Sequence, residues 1–178
     1  MTRPIVVDLG HRAVRILPDE RLRIDYAMEF DHPALHPQAI AFEMSPSIFT
    51  REIAPARTYG FLRDVSALRS QGLALGGSLD NAVVVGDDGV LNDGGLRFPD
   101  ELVRHKALDL IGDLFLLGKR VLGRVIATGA GHLLHAQLVR DIQAQLDLEA
   151  DRRPLPAAIE HWVAPLLSAT ESLKAASA

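Results

Sequence analysis

The sequence predicts an α+β fold: a two-layer domain with a largely antiparallel sheet, two main helices on one face and a small βαβ insert. Three observations lead there. The opening stretch, roughly forty residues, breaks into short β-branched or alternating runs separated by Gly, Pro, Asp or His. Two later segments, "VRHKALDLIGDLFLLG" and "HLLHAQLVRDIQAQL", carry apolar residues at helical spacing. Between them lies one further strand-like run, "GRVIAT".

Taken in order, "IVVDLG", "HRAVRILP", "LRIDYAMEF" and "AIAFEMS" read as a run of antiparallel strands. Ser45 as N-cap with Pro46 at the first helical position starts a helix, which Pro55 should disturb or end. "LRDVSALRSQG" reads as a short second helix closed by Gly72, and "DNAVVVGDDGVLNDGGLRF" as a strand followed by turns. "RFPDEL" enters the first long helix, where Pro99, Asp100 and Glu101 suit an N-terminal turn. A strand, a glycine turn and a last amphipathic helix follow, with Leu134, Leu138, Ile142 and Leu146 on one stripe. The domain is expected over residues 1–146, with the insert at about 58–88 and a Pro-containing, Ala-rich tail over 147–178. No internal repeat is visible.

At 178 residues and 48% hydrophobic content, the chain can bury a real core. Its net charge of −4 is interspersed, without the basic stripe that neutralises phosphate backbones, which argues against a nucleic-acid partner. With no cysteine, disulfides and thiolate metal ligands are excluded, so any metal must be held by nitrogen and oxygen. There is no signal-peptide pattern and no transmembrane segment in the sequence, and a cytoplasmic location is the default expectation.

The first long helix carries His105, Asp109 and Asp113 at four-residue intervals among apolar neighbours. Residues so spaced are offset by about 40° and about 6 Å along the axis, so His105 and Asp109 can reach one ion together while Asp113 orients something beside them. A local ion pair is the commoner meaning of such a pair. Two ligands do not complete a zinc site, which needs at least three. In "GAGHLLH", His132 stands at a strand-to-helix turn, where a catalytic acid would be exposed to a cleft and where Asp113 would hold it protonated. It can equally be a turn histidine of no consequence. The same segment offers G-x-G before a helix, a phosphate-binding pattern, but Leu134 occupies the third glycine position and no second βα unit follows. Apolar residues surround the first long helix on nearly every side, so a second layer is expected to cover it.

"RTYGFLRDVSALRSQGLALGGSLDNAVVV", "GLRFPDELVRHKALDLIGDLFLLG" and "GHLLHAQLV" together closely resemble the C-terminal domain of the UDP-3-O-acyl-N-acetylglucosamine deacetylase (LpxC) family, zinc enzymes of lipid A synthesis. The resemblance runs from about Pro4 to about Gln143, and "VRHKALDLIGDL" is its most specific part. It implies that His105 and Asp109 are zinc ligands, that His132 is the cationic acid and that Asp113 orients it. It further implies that Lys106 contacts the sugar nucleotide, Thr58 hydrogen-bonds the oxyanion and Phe30 lies against the uracil. The segment from about Tyr59 to Val85 resembles the family's βαβ insert, whose interior passes the acyl chain; Tyr59, Leu62, Val65, Ala74, Ser78 and Val84 are its candidate substrate contacts. Each of these is also explicable singly as core.

The family is built of two similar halves with zinc between them, and the first half is absent from the sequence. With it go a histidine ligand and the glutamate base; the sole Glu–His pair, Glu160–His161, lies outside the matched region. Two readings follow. In one, the chain is the C-terminal half of a hydrolase, either a fragment of a longer gene product or a piece whose other half is supplied in trans, with a helix face open to an N-terminal half or to self-association. In the other, it is a free-standing binding module for the acylated sugar nucleotide.

Overall fold

The computed structural model describes residues 3–151. In it the N-terminal alternation becomes four strands: β1 (Ile5–Asp8), β2 (Ala13–Leu17), β3 (Leu22–Met28) and β4 (Gln38–Glu43). Helix α1 (Pro46–Ile48) is capped by the Ser45 hydroxyl, which accepts from Ile48 N–H at 3.2 Å. It runs directly into a π-helical turn, Phe49–Ile53, closed by the Ala54 N–H on the Phe49 carbonyl just before Pro55. The insert comprises β5 (Thr58–Phe61), α2 (Leu62–Ser70), β6 (Ala82–Gly86) and the short β7 (Gly89–Val90). Helix α3 (Glu101–Phe115), β8 (Gly123–Thr128) and α4 (His132–Asp151) complete the described chain.

The main sheet has the order β1-β2-β8-β3-β4. All its neighbours are antiparallel except β3 and β8, which run parallel. The α+β class, the two main helices and the βαβ insert are therefore as the sequence predicts. The central position of β8 is not: the two N-terminal hairpins do not pair with each other, because β8 enters between them.

Period-two alternation explains which face is covered. Val14, Ile16, Ile24, Tyr26, Val125 and Ala127 are all buried, and the register sets Ile16 and Ile24 on either side of Val125, and Val14 and Tyr26 on either side of Ala127. Each large apolar side chain removed from water this way contributes about 1.5–3 kcal/mol. The opposite face is mixed: Arg124 meets Asp25 at 2.6 Å, beside Ala27, Ala39, Ala41 and Ile126. Gly123 opens β8 because a Cβ there would meet the Ile16 side chain and the Leu17 carbonyl, both at 2.9 Å.

In the insert, β5 and β6 pair in parallel across α2, and β7 returns antiparallel to β6. Val83 and Val85 form a small core with Leu102 of α3, against which Phe30, Tyr59 and Phe61 pack. One compact unit covers Met1–Gln143 and a second begins at Ala144. Of the 147–178 tail, only 147–151 are described, as the end of α4; the rest, including Glu160–His161, lies outside the described residues.

Candidate metal and catalytic site

The sequence spacing puts His105, Asp109 and Asp113 on successive turns of α3, and the glycine turn after β8 delivers His132 as the first residue of α4. His105 Nε2 stands 3.3 Å from Asp109 Oδ1, and His132 Nε2 stands 3.7 Å from Asp109 Oδ2. His132 Nδ1 is 2.8 Å from Asp113 Oδ2, and its side chain is 68% exposed. Lys106 donates to Asp109 Oδ2 at 2.6 Å, so its ammonium is engaged within the cluster. Five of the sequence candidates thus form one continuous group across the α3–α4 interface.

The array extends inward to residues that the spacing argument did not single out. His135 is fully buried on α4, and its Nδ1 shares Asp113 Oδ2 with His132, also at 2.8 Å. Its Nε2 faces the Tyr26 hydroxyl at 3.2 Å, and that hydroxyl donates to the Ala130 carbonyl at 2.8 Å. Burial holds the His135 imidazole below its ordinary value, with Asp113 pulling the other way. Burial, followed by the nearby carboxylates of Asp109 and Asp113, pushes the Tyr26 phenol up. Tyr59 is pushed up to about 12 by burial and then by Asp109, which brings it within the field of the cluster.

The remaining candidates are distributed around the insert. Thr58, exposed, begins β5 two residues after Ala56. Phe30 and Tyr59 pack edge to face with centroids 6.0 Å apart. Val65 and Val84 are half-buried in α2 and β6, whereas Leu62, Ala74 and Ser78 are exposed. A groove of about 900 Å³ lies elsewhere, between Phe49, Leu114, Phe115 and Leu122, and none of the cluster residues lines it.

Two groups of donors are able to hold a metal ion. Among the described residues, Asp113, His132 and His135 place donor atoms within 4.8 Å of one another. There, however, Asp113 Oδ2 already accepts from both Nδ1 atoms, which gives the group an internal explanation as a hydrogen-bonded array. The pair His105 and Asp109 differs. His105 Nδ1 lies 3.1 Å from the Ala56 carbonyl, and a carbonyl only accepts, so Nδ1 carries a proton and Nε2 is the nitrogen turned to Asp109. Two acceptors 3.3 Å apart repel unless a cation or a proton stands between them. A histidine whose far nitrogen is held by a backbone carbonyl is also the usual arrangement of a metal ligand.

Fold and site together define an α+β domain whose helical layer carries a histidine–carboxylate centre suited to a metal ion. The chain belongs to the LpxC family: the family model described as UDP-3-O-acyl N-acetylglycosamine deacetylase matches residues 1–144. It is 52% identical over 145 residues to the UDP-3-O-acyl-N-acetylglucosamine deacetylase of Syntrophotalea carbinolica, covering 82% of this chain and 47% of that protein. Proteins of the same name from Leptospira biflexa serovar Patoc and Nitratidesulfovibrio vulgaris are 48% and 43% identical, covering 82% and 90% of this chain and 48% and 52% of theirs. The chain spans about half the length of the curated relatives it matches. No helix among the described residues is long and apolar enough to cross a membrane.

Proposed function

We propose that this chain supplies the C-terminal half of a zinc-dependent deacetylase that hydrolyses the acetamide of UDP-3-O-acyl-N-acetylglucosamine in lipid A biosynthesis, in the cytoplasm. The observation that carries the reading is the convergence of His105, Lys106, Asp109, Asp113 and His132 on one surface of a chain that belongs to this family.

His105 Nε2 and Asp109 are the proposed zinc ligands. Zinc, when bound, supplies Lewis-acid polarisation of the amide carbonyl and of the attacking water. Asp113 accepts a hydrogen bond from the Nδ1–H of His132, which orients the ring so that Nε2 is the position from which a proton passes to the departing amine. The Thr58 hydroxyl donates to the developing oxyanion. Lys106 swings from Asp109 on its flexible stem to meet the anionic sugar nucleotide. Phe30 stacks with the uracil, and Tyr59, Leu62, Val65, Ala74, Ser78 and Val84 border the acyl chain. The third ligand, a histidine, and the glutamate base belong to the other half, which docks where Phe115 and Leu116, 78% and 73% exposed, leave apolar surface uncovered.

The test is acetate release from the acylated sugar nucleotide with zinc. It is measured for this chain alone and for a graft in which residues 1–144 replace the matched segment of the Syntrophotalea carbinolica relative. The expected result is turnover by the graft, abolished by His105→Ala, and none by the chain alone. A correctly folded graft without activity would defeat the reading. Turnover by the chain alone would place the third ligand and the base within it or within a second copy paired with it.

A further inference from the structure

We infer that Glu101, with Arg57, is a positioning device for His105: it clamps the peptide unit whose carbonyl fixes which nitrogen of that imidazole faces Asp109. The inference rests on the proposed metal site and goes beyond its ligands.

Glu101 is the first residue of α3, one turn ahead of His105, and it is 0% exposed. A carboxylate is almost never fully buried unless paired, and this one accepts four hydrogen bonds. Oε1 takes the Arg57 backbone N–H at 2.9 Å and Arg57 Nε at 2.9 Å; Oε2 takes Arg57 Nη2 at 3.0 Å and the Arg97 N–H at 2.6 Å. Arg57 Nη2 also donates to the Gly95 carbonyl at 2.8 Å, and Arg97 Nη1 to the Pro55 carbonyl at 2.7 Å.

The peptide between Ala56 and Arg57 is therefore held at both ends by one helix. Its N–H goes to Glu101 and its carbonyl, 3.1 Å from His105 Nδ1, goes to the ring one turn later. Because a peptide unit is planar, fixing the N–H fixes the direction of the carbonyl. That direction keeps a proton on Nδ1 and turns Nε2 toward Asp109. Stability alone does not account for the arrangement, since a buried ion pair is often replaceable by apolar residues without loss. The array does hold the one peptide whose carbonyl meets the His105 ring.

The test compares Glu101→Gln with the full chain. Glutamine is nearly isosteric, but its amide nitrogen would face only donors, so the four-bond array cannot be completed. Two readouts are used on protein shown to be folded by its thermal transition. The first is the ring tautomer of His105 from long-range proton–nitrogen correlation spectra of zinc-free chain at about pH 8.5, above the ordinary imidazole range. The second is the zinc affinity of the graft described above, which supplies the third ligand, by competition with a chelator. Expected are an Nδ1-protonated ring in the parent, a mixture of tautomers in Glu101→Gln, and a zinc Kd raised roughly 10–100-fold. Arg57→Lys keeps the backbone N–H to Glu101 but loses the fork, and should fall between the two. If Glu101→Gln does not fold, Arg57→Lys carries the same test.

A folded Glu101→Gln, or in its place Arg57→Lys, with unchanged tautomer and unchanged zinc affinity would overturn the inference. A tautomer change, with a graft of residues 1–144 that binds no zinc, would uphold the clamp while removing the metal from the proposed function. The two failures are thus distinguishable.

Discussion

Asp113 serves two histidines through a single oxygen, one exposed and one fully buried. Removing its charge therefore disturbs the proposed acid, His132, and its inner neighbour His135 at once. In the grafted enzyme, His132→Ala is expected to lower kcat roughly 10²–10⁴-fold, the usual contribution of a general acid. Asp113→Asn should produce a smaller fall with KM little changed. A rise in KM at constant kcat would instead make the pair a binding element. How much of this was legible in sequence depended on distance along the chain. His105, Asp109 and Asp113 declare themselves by a four-residue interval on one helix. Tyr26 and His135 lie 109 positions apart, and no local pattern joins them. Glu101 reads as an acid suited to a helix N-terminus, and only the fold shows that its partner is Arg57, 44 positions earlier.

Among the elements, the insert depends on one buried amide. Asn92 Oδ1 accepts from Val84 N–H at 2.9 Å, while its Nδ2 donates to the Leu79 and Ala82 carbonyls at 2.7 and 2.8 Å. Asn92→Ala leaves an N–H of β6 and two carbonyls without these partners, at a cost of about 1–3 kcal/mol. Hydrogen exchange should quicken at β6 and its neighbours while β2, β3 and β8 keep their protection. Equal acceleration in both sheets would show that the insert has no separate stability. The sequence marks "NDGG" as a turn, since Asn and Gly favour turns in general. It does not show that Asn92 turns its side chain inward as a bracket. The helix that Ser45 and Pro46 announce does start there, and its early end in a π-helical turn agrees with the expected effect of Pro55.

For the whole molecule, two buried groups give stability a pH dependence. His135 is held below its ordinary value of 6.5, so as pH falls the unfolded chain takes up that proton first. Its contribution is present above about pH 6.5 and is lost as pH drops through the folded value. Burial alone would raise the Glu101 carboxyl, but the hydrogen bonds from Arg57 and Arg97 outweigh it and hold the group below 4.5. Its contribution is present above that value and disappears as pH falls through the lower one. Urea midpoints followed from about pH 8 to about pH 3 should decline in two stages. His135→Asn should remove the first and Glu101→Gln the second; curves parallel to the parent would refute the assignment.

The position of β8 was the part of the sheet least available to sequence, because pairing order is a property of the folded chain rather than of any segment. It also sets a timetable. β2 and β3 cannot be joined until Gly123–Thr128 has been made, its last residue 100 positions after Met28, which at ordinary translation speeds is roughly 5–20 s. Through that interval a nascent chain carries the segments of both hairpins without the strand that joins them, and an isolated hairpin is only marginally stable, so their inner edges are open to any passing strand. Of all stages in the life of this protein, that wait on the ribosome is the one at which a chaperone has the most to protect.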